Sequence, residues 1–226
     1  VVAQSSNCAI TLTNNVDDAS HKDVVGMAAM PTVTSKAWQV QVESLDVTDV
    51  ASVLAAIKSL TPFDLVWDET ATSDNQTGQH AAVARTGQAY LSDVTFQFND
   101  RENSTKQLQF TGTGAITNAP SAYTTDVIAV SNTFTKGQFV RLFLGSDNTA
   151  VPATVVAYAK TLSLHVSMTM ENATTKDTTG DWEIQEPTAL NYDITSGALM
   201  RSADNITSQV GGKNVADLEA IYEAGT

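Results

Sequence analysis

Cysteine is almost missing from this sequence. Cys8 stands alone among 226 residues, which excludes an intrachain disulfide framework. Basic residues are scarce: 12 Lys and Arg face 25 Asp and Glu, for a formal net charge of −13. The deficit is even, with 6 basic against 13 acidic residues up to position 118 and 6 against 12 after it. An acidic surface that recurs with the structural unit fits this spread better than an acidic tail. Such a surface cannot grip nucleic-acid phosphate, which requires clustered Lys and Arg. No run reaches the roughly 18 apolar residues of a membrane span, so no membrane partner is expected. No basic-then-apolar leader opens the chain at Val1 to Cys8, so no secretion route is expected either. The four Asn-x-Thr sequons at Asn75, Asn103, Asn172 and Asn205 then read as products of a Thr- and Asn-rich β composition rather than glycosylation sites.

What the sequence does have is an internal repeat. A shift of 154 positions lays Val1, Val2, Ala3, Ala19, Lys22, Asp23 and Gly26 on Val155, Val156, Ala157, Ala173, Lys176, Asp177 and Gly180. Between the identities, Cys8, Ile10 and Leu12 fall on Leu162, Leu164 and Val166, the same alternate positions of one strand. The frame places Trp38 on Tyr192 and Val40 on Ile194. After an insertion of 11 residues in the second copy, "VASVLAAIKSLT" meets "VADLEAIYEAGT". Residues 1–61 thus recur as 155–226. The first copy continues through "PFDLVWDE", "TGQAYLSDVTFQFND" and "KQLQFTGTGAI", which the second lacks. "FTKGQFVRLFLGSDNTA", a strand and turn, precedes only the second. Unpaired sheet edges and uncovered apolar faces would result, which natural proteins avoid. The expectation is that these residues are the middle of a longer two-domain chain.

Period-two alternation predicts antiparallel sheets with one wetted face. In 38–43 Trp38, Val40 and Val42 interleave with Gln39, Gln41 and Glu43. In 93–99 Val94, Phe96 and Phe98 interleave with polar residues, and in 106–112 Leu108 and Phe110 do the same. One helix per unit is expected. Val50, Val53, Leu54, Ile57 and Leu60 form a stripe behind Asp46, Thr48 and Asp49. Val215, Leu218, Ile221 and Tyr222 form another behind Asn214 and Asp217. Two long polar stretches, Thr13–Ala37 and Glu69–Arg85, are expected to be loops serving as contact arms. The fold class is mainly β: two tandem antiparallel β-sandwich or barrel domains, each with one flanking helix. The division is 1–118 for the first, 119–133 as linker and 134–226 for the second, incomplete at its C-terminal end.

No enzyme constellation emerges, and no cofactor or metal is expected. Cys8 aligns with Leu162, so the position reads as a core hydrophobe. The histidines His21, His80 and His165 lie at no ligand spacing. The first and third align with Thr175 and Thr11, which marks them as surface residues. "TGTGAI" at 111–116 lacks the third glycine and following helix of a dinucleotide fingerprint and reads as a strand-end turn. The acid pair Asp17–Asp18 falls to one acid in Glu171–Asn172, and Asp68–Glu69 has no clear counterpart, as for solvated loop charge. Trp38, Trp67 and Tyr192 stand in apolar register and are expected in the core.

The "ASHKD" and "ATTKD" strand ends, the aromatic-led strands "AWQVQVESL" and "NYDITSGAL", the helix, "TGQAYLSDVTF", the closing "FTGTGAI" and the unit-opening "KGQFVRLFL" together resemble the tail tube (major tail) proteins of long-tailed bacteriophages. The resemblance implies a small antiparallel β-sandwich with a flanking helix. It also implies self-association into rings around a lumen, stacking of rings into a tube, and passage of DNA through it without specific binding. Other tail proteins would be partners, and the location would be the phage tail, after synthesis in the bacterial cytoplasm. By the family pattern Asp17, Asp18, His21, Lys22 and Asp23, with Glu171, Lys176 and Asp177 in the copy, would contact adjacent subunits or rings. Gln39, Gln41, Glu43, Thr95, Gln97, Gln107, Gln109, Asp193 and Thr195 would line the lumen, where acidity repels DNA phosphate. Duplication departs from the common one-domain pattern and implies three chains in a pseudo-hexameric ring. Two alternatives remain: another tail ring component, such as a distal tail or terminator protein, and a tandem β-sandwich module binding a glycan or host protein.

Overall fold

Alternating apolar and polar residues fix which face each strand presents, and the strands they build are long. The computed structural model describes residues 5–20, 30–45, 47, 49–67, 85–118, 136–140, 142–144, 154–156, 159–178, 180–198 and 212–213. In chain order these form β1 (Ser5–Asp18), β2 (Pro31–Ser44), α1 (Val50–Lys58), β3 (Phe63–Trp67), β4 (Arg85–Asn99) and β5 (Thr105–Asn118). A 3-10 turn at Gly137–Phe139 follows, then β6 (Phe143–Leu144), β7 (Thr154–Val156), β8 (Ala159–Asn172), β9 (Gln185–Ala198) and β10 (Gly212–Lys213). The chain is mainly β, as its alternation predicts.

The main sheet has seven strands, running β1-β2-β5-β4-β8-β9 with β3 paired to β4, and every pairing in it is antiparallel. A small second sheet joins β6, β7 and β10. Through the β4–β8 ladder, Asp93–Asn99 against Ser167–Thr161, strands of the two repeats hydrogen-bond into one sheet. The expected linker 119–133 lies outside the described residues, as does the second helix over 214–226.

The repeat is legible in the hydrogen bonds. Adding 154 to the bounds of β1 and β2 gives those of β8 and β9. Hairpin registers agree as well: Cys8↔Val42 becomes Leu162↔Ser196, Leu12↔Trp38 becomes Val166↔Tyr192, and Asn15↔Ser35 becomes Thr169↔Ala189. Even the irregularities recur, at Ser5/Asn7 and Asn15/Val16 in one hairpin and at Ala159/Thr161 and Thr169/Met170 in the other. A bulge recurring at equivalent places is a designed feature of the strand pair.

The stretch expected as a loop, Thr13–Ala37, is corrected at both ends. Thr13–Asp18 and Pro31–Ala37 are strand, and they prolong the β1–β2 hairpin beyond the point where β5 stops pairing with it. Thr, Asn and Val pair across these strands, and a β-ladder carries such residues readily. Of the second expected loop, 69–84 lies outside the described residues and Arg85 opens β4. Likewise "TGTGAI" is no strand-end turn: Thr111 to Ile116 lie inside β5.

The core lies on one face of the sheet, under α1. Val53 and Ile57 of the helix are buried with Val40, Leu91, Val94, Phe96, Leu108, Phe110, Val166 and Met168. Leu60, expected on the helical stripe, falls after the helix at φ 53° and is exposed. Asp49 does not cap α1 through its side chain. Its carboxylate instead accepts a bond from Lys106 Nζ at 2.6 Å, and Lys106 is only 1% exposed. That ion pair ties the helix start to β5.

Trp38 is the pivot of the core. Its ring is 3% exposed, lies 5.6 Å from the ring of Trp67, and donates Nε1–H to Gly114 O at 3.0 Å. It occupies a slot floored by Gly87 and Gly112, where any Cβ would overlap the indole. Gly114 sits at φ 72°, in the left-handed region that glycine enters without steric cost.

Candidate functional site

Three features could carry function: a continuous polar sheet face, a histidine clamp within it, and open edges with exposed apolar side chains. The polar face is built by alternation. One cross-strand rung reads Asn7, Glu43, Gln107, Thr95, His165 and Asp193 across all six strands of the path. The next reads Ala9, Gln41, Gln109, Asp93, Ser167 and Asn191. Gln97, Ser163 and Thr195 continue the pattern, and Gln39 precedes it opposite Thr111. All nine residues expected on a lumen wall therefore share one face. Gln109 links to Gln39 and Gln41 through long amide bonds of 3.4 Å. The rungs hold three carboxylates, Glu43, Asp93 and Asp193, and no Lys or Arg.

His165, read from sequence as a surface residue, is partly exposed and held on both sides. Its Nε2 lies 2.7 Å from Asp93 Oδ2 and its Nδ1 2.9 Å from Asp193 Oδ1. Both ring nitrogens thus face acceptors, an arrangement satisfied by the doubly protonated ring. The bond to Asp93, then that to Asp193, raises the His165 pKa above its ordinary value, while partial burial opposes them. The clamp spans β4, β8 and β9, so it crosses the joint between repeats. Sequence reasoning missed it because Thr11, its aligned counterpart, has Gln39 opposite; only knowledge of the β4–β8 pairing brings Asp93 to it.

The expected contact residues fall in different settings. Asp17 and Asp18 end β1. Asp18 organises the turn: its carboxylate accepts from the Ser20 hydroxyl, Ser20 N and Met30 N, which lower its pKa in that order. His21, Lys22 and Asp23 lie outside the described residues. Glu171 stands opposite Glu186 near the end of β8. Lys176 and Asp177 are exposed in a turn closed by Thr178 N donating to Thr175 O at 3.0 Å.

The stretch before β9 was not singled out from sequence, yet it docks on the first repeat. Lys36 N donates to Asp181 O, Glu183 N to Lys36 O and Gly114 N to Glu183 O. The side chains agree: Lys36 Nζ meets Asp181 Oδ2 at 3.0 Å, while Asn15 Nδ2 and Ser35 Oγ both donate to Glu183 Oε1.

At the margins the apolar pattern outruns its cover. Cys8 lies on the core-facing register but is exposed, and Leu12 is 64% exposed. Tyr192, expected in the core as the counterpart of Trp38, is 77% exposed, with Leu190 and Ile194 exposed beside it. The cause is position: β1 and β9 are the path's outer strands, each with one neighbour among the described strands. An apolar cleft of about 600 Å³ under α1, lined by Cys8, Ile10, Val42, Leu65 and Trp67 among others, opens by the β1 margin. Among the described residues no group of three His, Cys, Asp or Glu could hold a metal. No family model matches the chain, and no curated protein matches it.

Proposed function

We propose that this chain is a self-assembling structural protein of the phage tail-tube type, whose sheet edges join neighbouring molecules into rings around an acidic bore. The observation that carries this reading is that two strand edges, β1 and β9, have no second neighbour among the described strands and bear exposed Ile10, Leu12, Leu190, Tyr192 and Ile194 on one face. Exposed edges and apolar stripes are liabilities in a monomer and assets in an assembly. The alternating direction of the six strands leaves β9 antiparallel to a neighbour's β1, so edge-to-edge joining needs no reversal. Such contacts are heterologous and close into rings or continue as fibres. The opposite face, whose rungs bear Glu43, Asp93 and Asp193 with the imidazole of His165 and no Lys or Arg, suits a bore through which DNA slides without sticking. Three duplicated chains would fill six places.

Negative-stain microscopy of the purified protein tests this. Tubes or stacked rings are expected, single rings would favour a terminator or distal tail role, and a persistent monomer at high concentration would refute self-assembly. The exposed Tyr192 favours a second reading, a surface module holding a glycan or host protein on that ring, which a soluble monomer with ligand-dependent Tyr fluorescence would support.

A further inference from the structure

The contact between the second repeat's pre-β9 stretch and the first repeat is a template for a contact between molecules. Within the chain, Asp181 to Gln185 run along β2 beside Lys36 and meet Asn15, Ser35 and Thr113. The shift of 154 that maps the hairpins onto one another also maps both partners of this contact. Asn15, Ser35 and Lys36 become Thr169, Ala189 and Leu190, and Asp181, Trp182, Glu183 and Ile184 become Met27, Ala28, Ala29 and Met30. On both sides the chemistry changes together. The cation Lys36 and the polar Ser35 become Leu190 and Ala189, while the acids Asp181 and Glu183 become Met27 and Ala29. Substituting one side alone would set an unpaired charge against an apolar surface. Substituting both replaces an ion-paired joint by an apolar one.

The receiving side stands open. Leu190 is 37% exposed beside Tyr192 and Ile194, and β9 has only β8 beside it among the described strands. Hairpin register is conserved, so Leu190 presents its outward backbone groups as Lys36 does. Met30, at the giving end, is itself 47% exposed.

We infer that the Ala189–Leu190–Tyr192 margin of β9 receives a second copy of this chain through that copy's Met27–Met30 stretch, in the manner of Asp181–Ile184 on Lys36 within one chain. This rests on the self-assembly reading, and at the Leu190 end of β9 it gives the outward backbone groups to the neighbour's Met27–Met30 stretch instead of to its β1. Joints would alternate, one ionic inside each chain and one apolar between chains. The alternation fixes the partner: a first repeat carrying methionines is drawn to Leu190 and not to Lys36, whose charge it would leave unpaired.

The test uses the full chain and three proteins: wild type, Leu190→Lys, and Leu190→Lys combined with Met27→Asp, which rebuilds the in-chain ion pair between molecules. Sedimentation velocity and negative stain read assembly, and circular dichroism checks the fold, which a change at this exposed site should leave intact. Leu190→Lys should weaken association at least roughly tenfold, and the double variant should recover most of it. If Leu190→Lys assembles like wild type, or if it blocks assembly and Met27→Asp gives no recovery, the inferred joint is overturned while self-assembly stands. If wild type itself never associates, the underlying reading fails.

Discussion

The fit of Trp38 between two glycines yields a sharp stability prediction. A methyl group at Gly112 would overlap Cε2, Cδ2 and Nε1 of Trp38, and one at Gly87 would stand 2.6 Å from Cζ2. The ring has nowhere to withdraw, because Trp67 lies at 5.6 Å and Gly114 O holds Nε1. Displacement would forfeit that hydrogen bond, about 1 kcal/mol, and the aromatic pair, roughly 1 kcal/mol more. Part of the burial whose complete loss costs about 3–5 kcal/mol would go as well. Gly112→Ala is therefore expected to destabilise by about 3 kcal/mol, at the lower end of that range. In the thermal melt of a chain this size that is a fall of roughly 6–12 °C. At an unobstructed strand site the same change would stabilise by about 0.5–1 kcal/mol, since alanine loses less backbone entropy than glycine, so even the sign is diagnostic. Combining Gly112→Ala with Trp38→Val should cost less than the two single changes added, because the smaller side chain removes the overlap. A single variant as stable as wild type, or strict additivity in the pair, would refute the steric argument.

Three further outcomes follow from the geometry. His165 titrates above its ordinary value because Asp93 and Asp193 favour its charged form, so its stabilising contribution is fully present below about pH 6.5 and fades as pH rises through the raised folded pKa. The joint is partly open to solvent, so the effect is no more than about 1 kcal/mol. His165→Gln should flatten the stability profile across that window, and proton NMR of Asp193→Asn should show the imidazole titrating lower than in wild type. Asp49→Ala should cost about 3 kcal/mol by stranding the buried Lys106 ammonium, whereas Lys106→Met should be near neutral, because an apolar residue needs no partner there; denaturant midpoints of the two variants will separate these cases. Converting Glu43, Asp93 and Asp193 together to Asn or Gln should leave the strands intact by circular dichroism while raising the isoelectric point.

How far the sequence could be read depended on which question was asked of it. Alternation at 38–43, 93–99 and 106–112 located three strands and their wet sides, and all nine residues expected on the polar face share it. Helix α1 was legible from its apolar stripe and the acids before it. The length of the β1–β2 hairpin was not, because polar Thr and Asn pair across strands as readily as they decorate loops, and composition alone cannot separate the two.

Coverage was the harder quantity, and the repeat makes plain why. Trp38 and Tyr192 occupy one position of one hairpin, with the same register across the ladder, yet one is buried and the other bare. Cys8 and Leu162 differ in the opposite sense, the first exposed and the second half-buried. Within a strand, sequence dictates which way a side chain points; burial is decided by what lies beside that strand. For β2 the neighbour is β5, carrying Gly112 at the place the indole needs, while no described strand flanks β9 beyond β8. The same logic governs His165, whose partner Asp93 arrives on β4 and not on its own hairpin. Alignment of the copies therefore transmits orientation faithfully and environment not at all. Where copies agree in sequence register but differ in cover, the barer one lies on a strand with a single neighbour among the described strands.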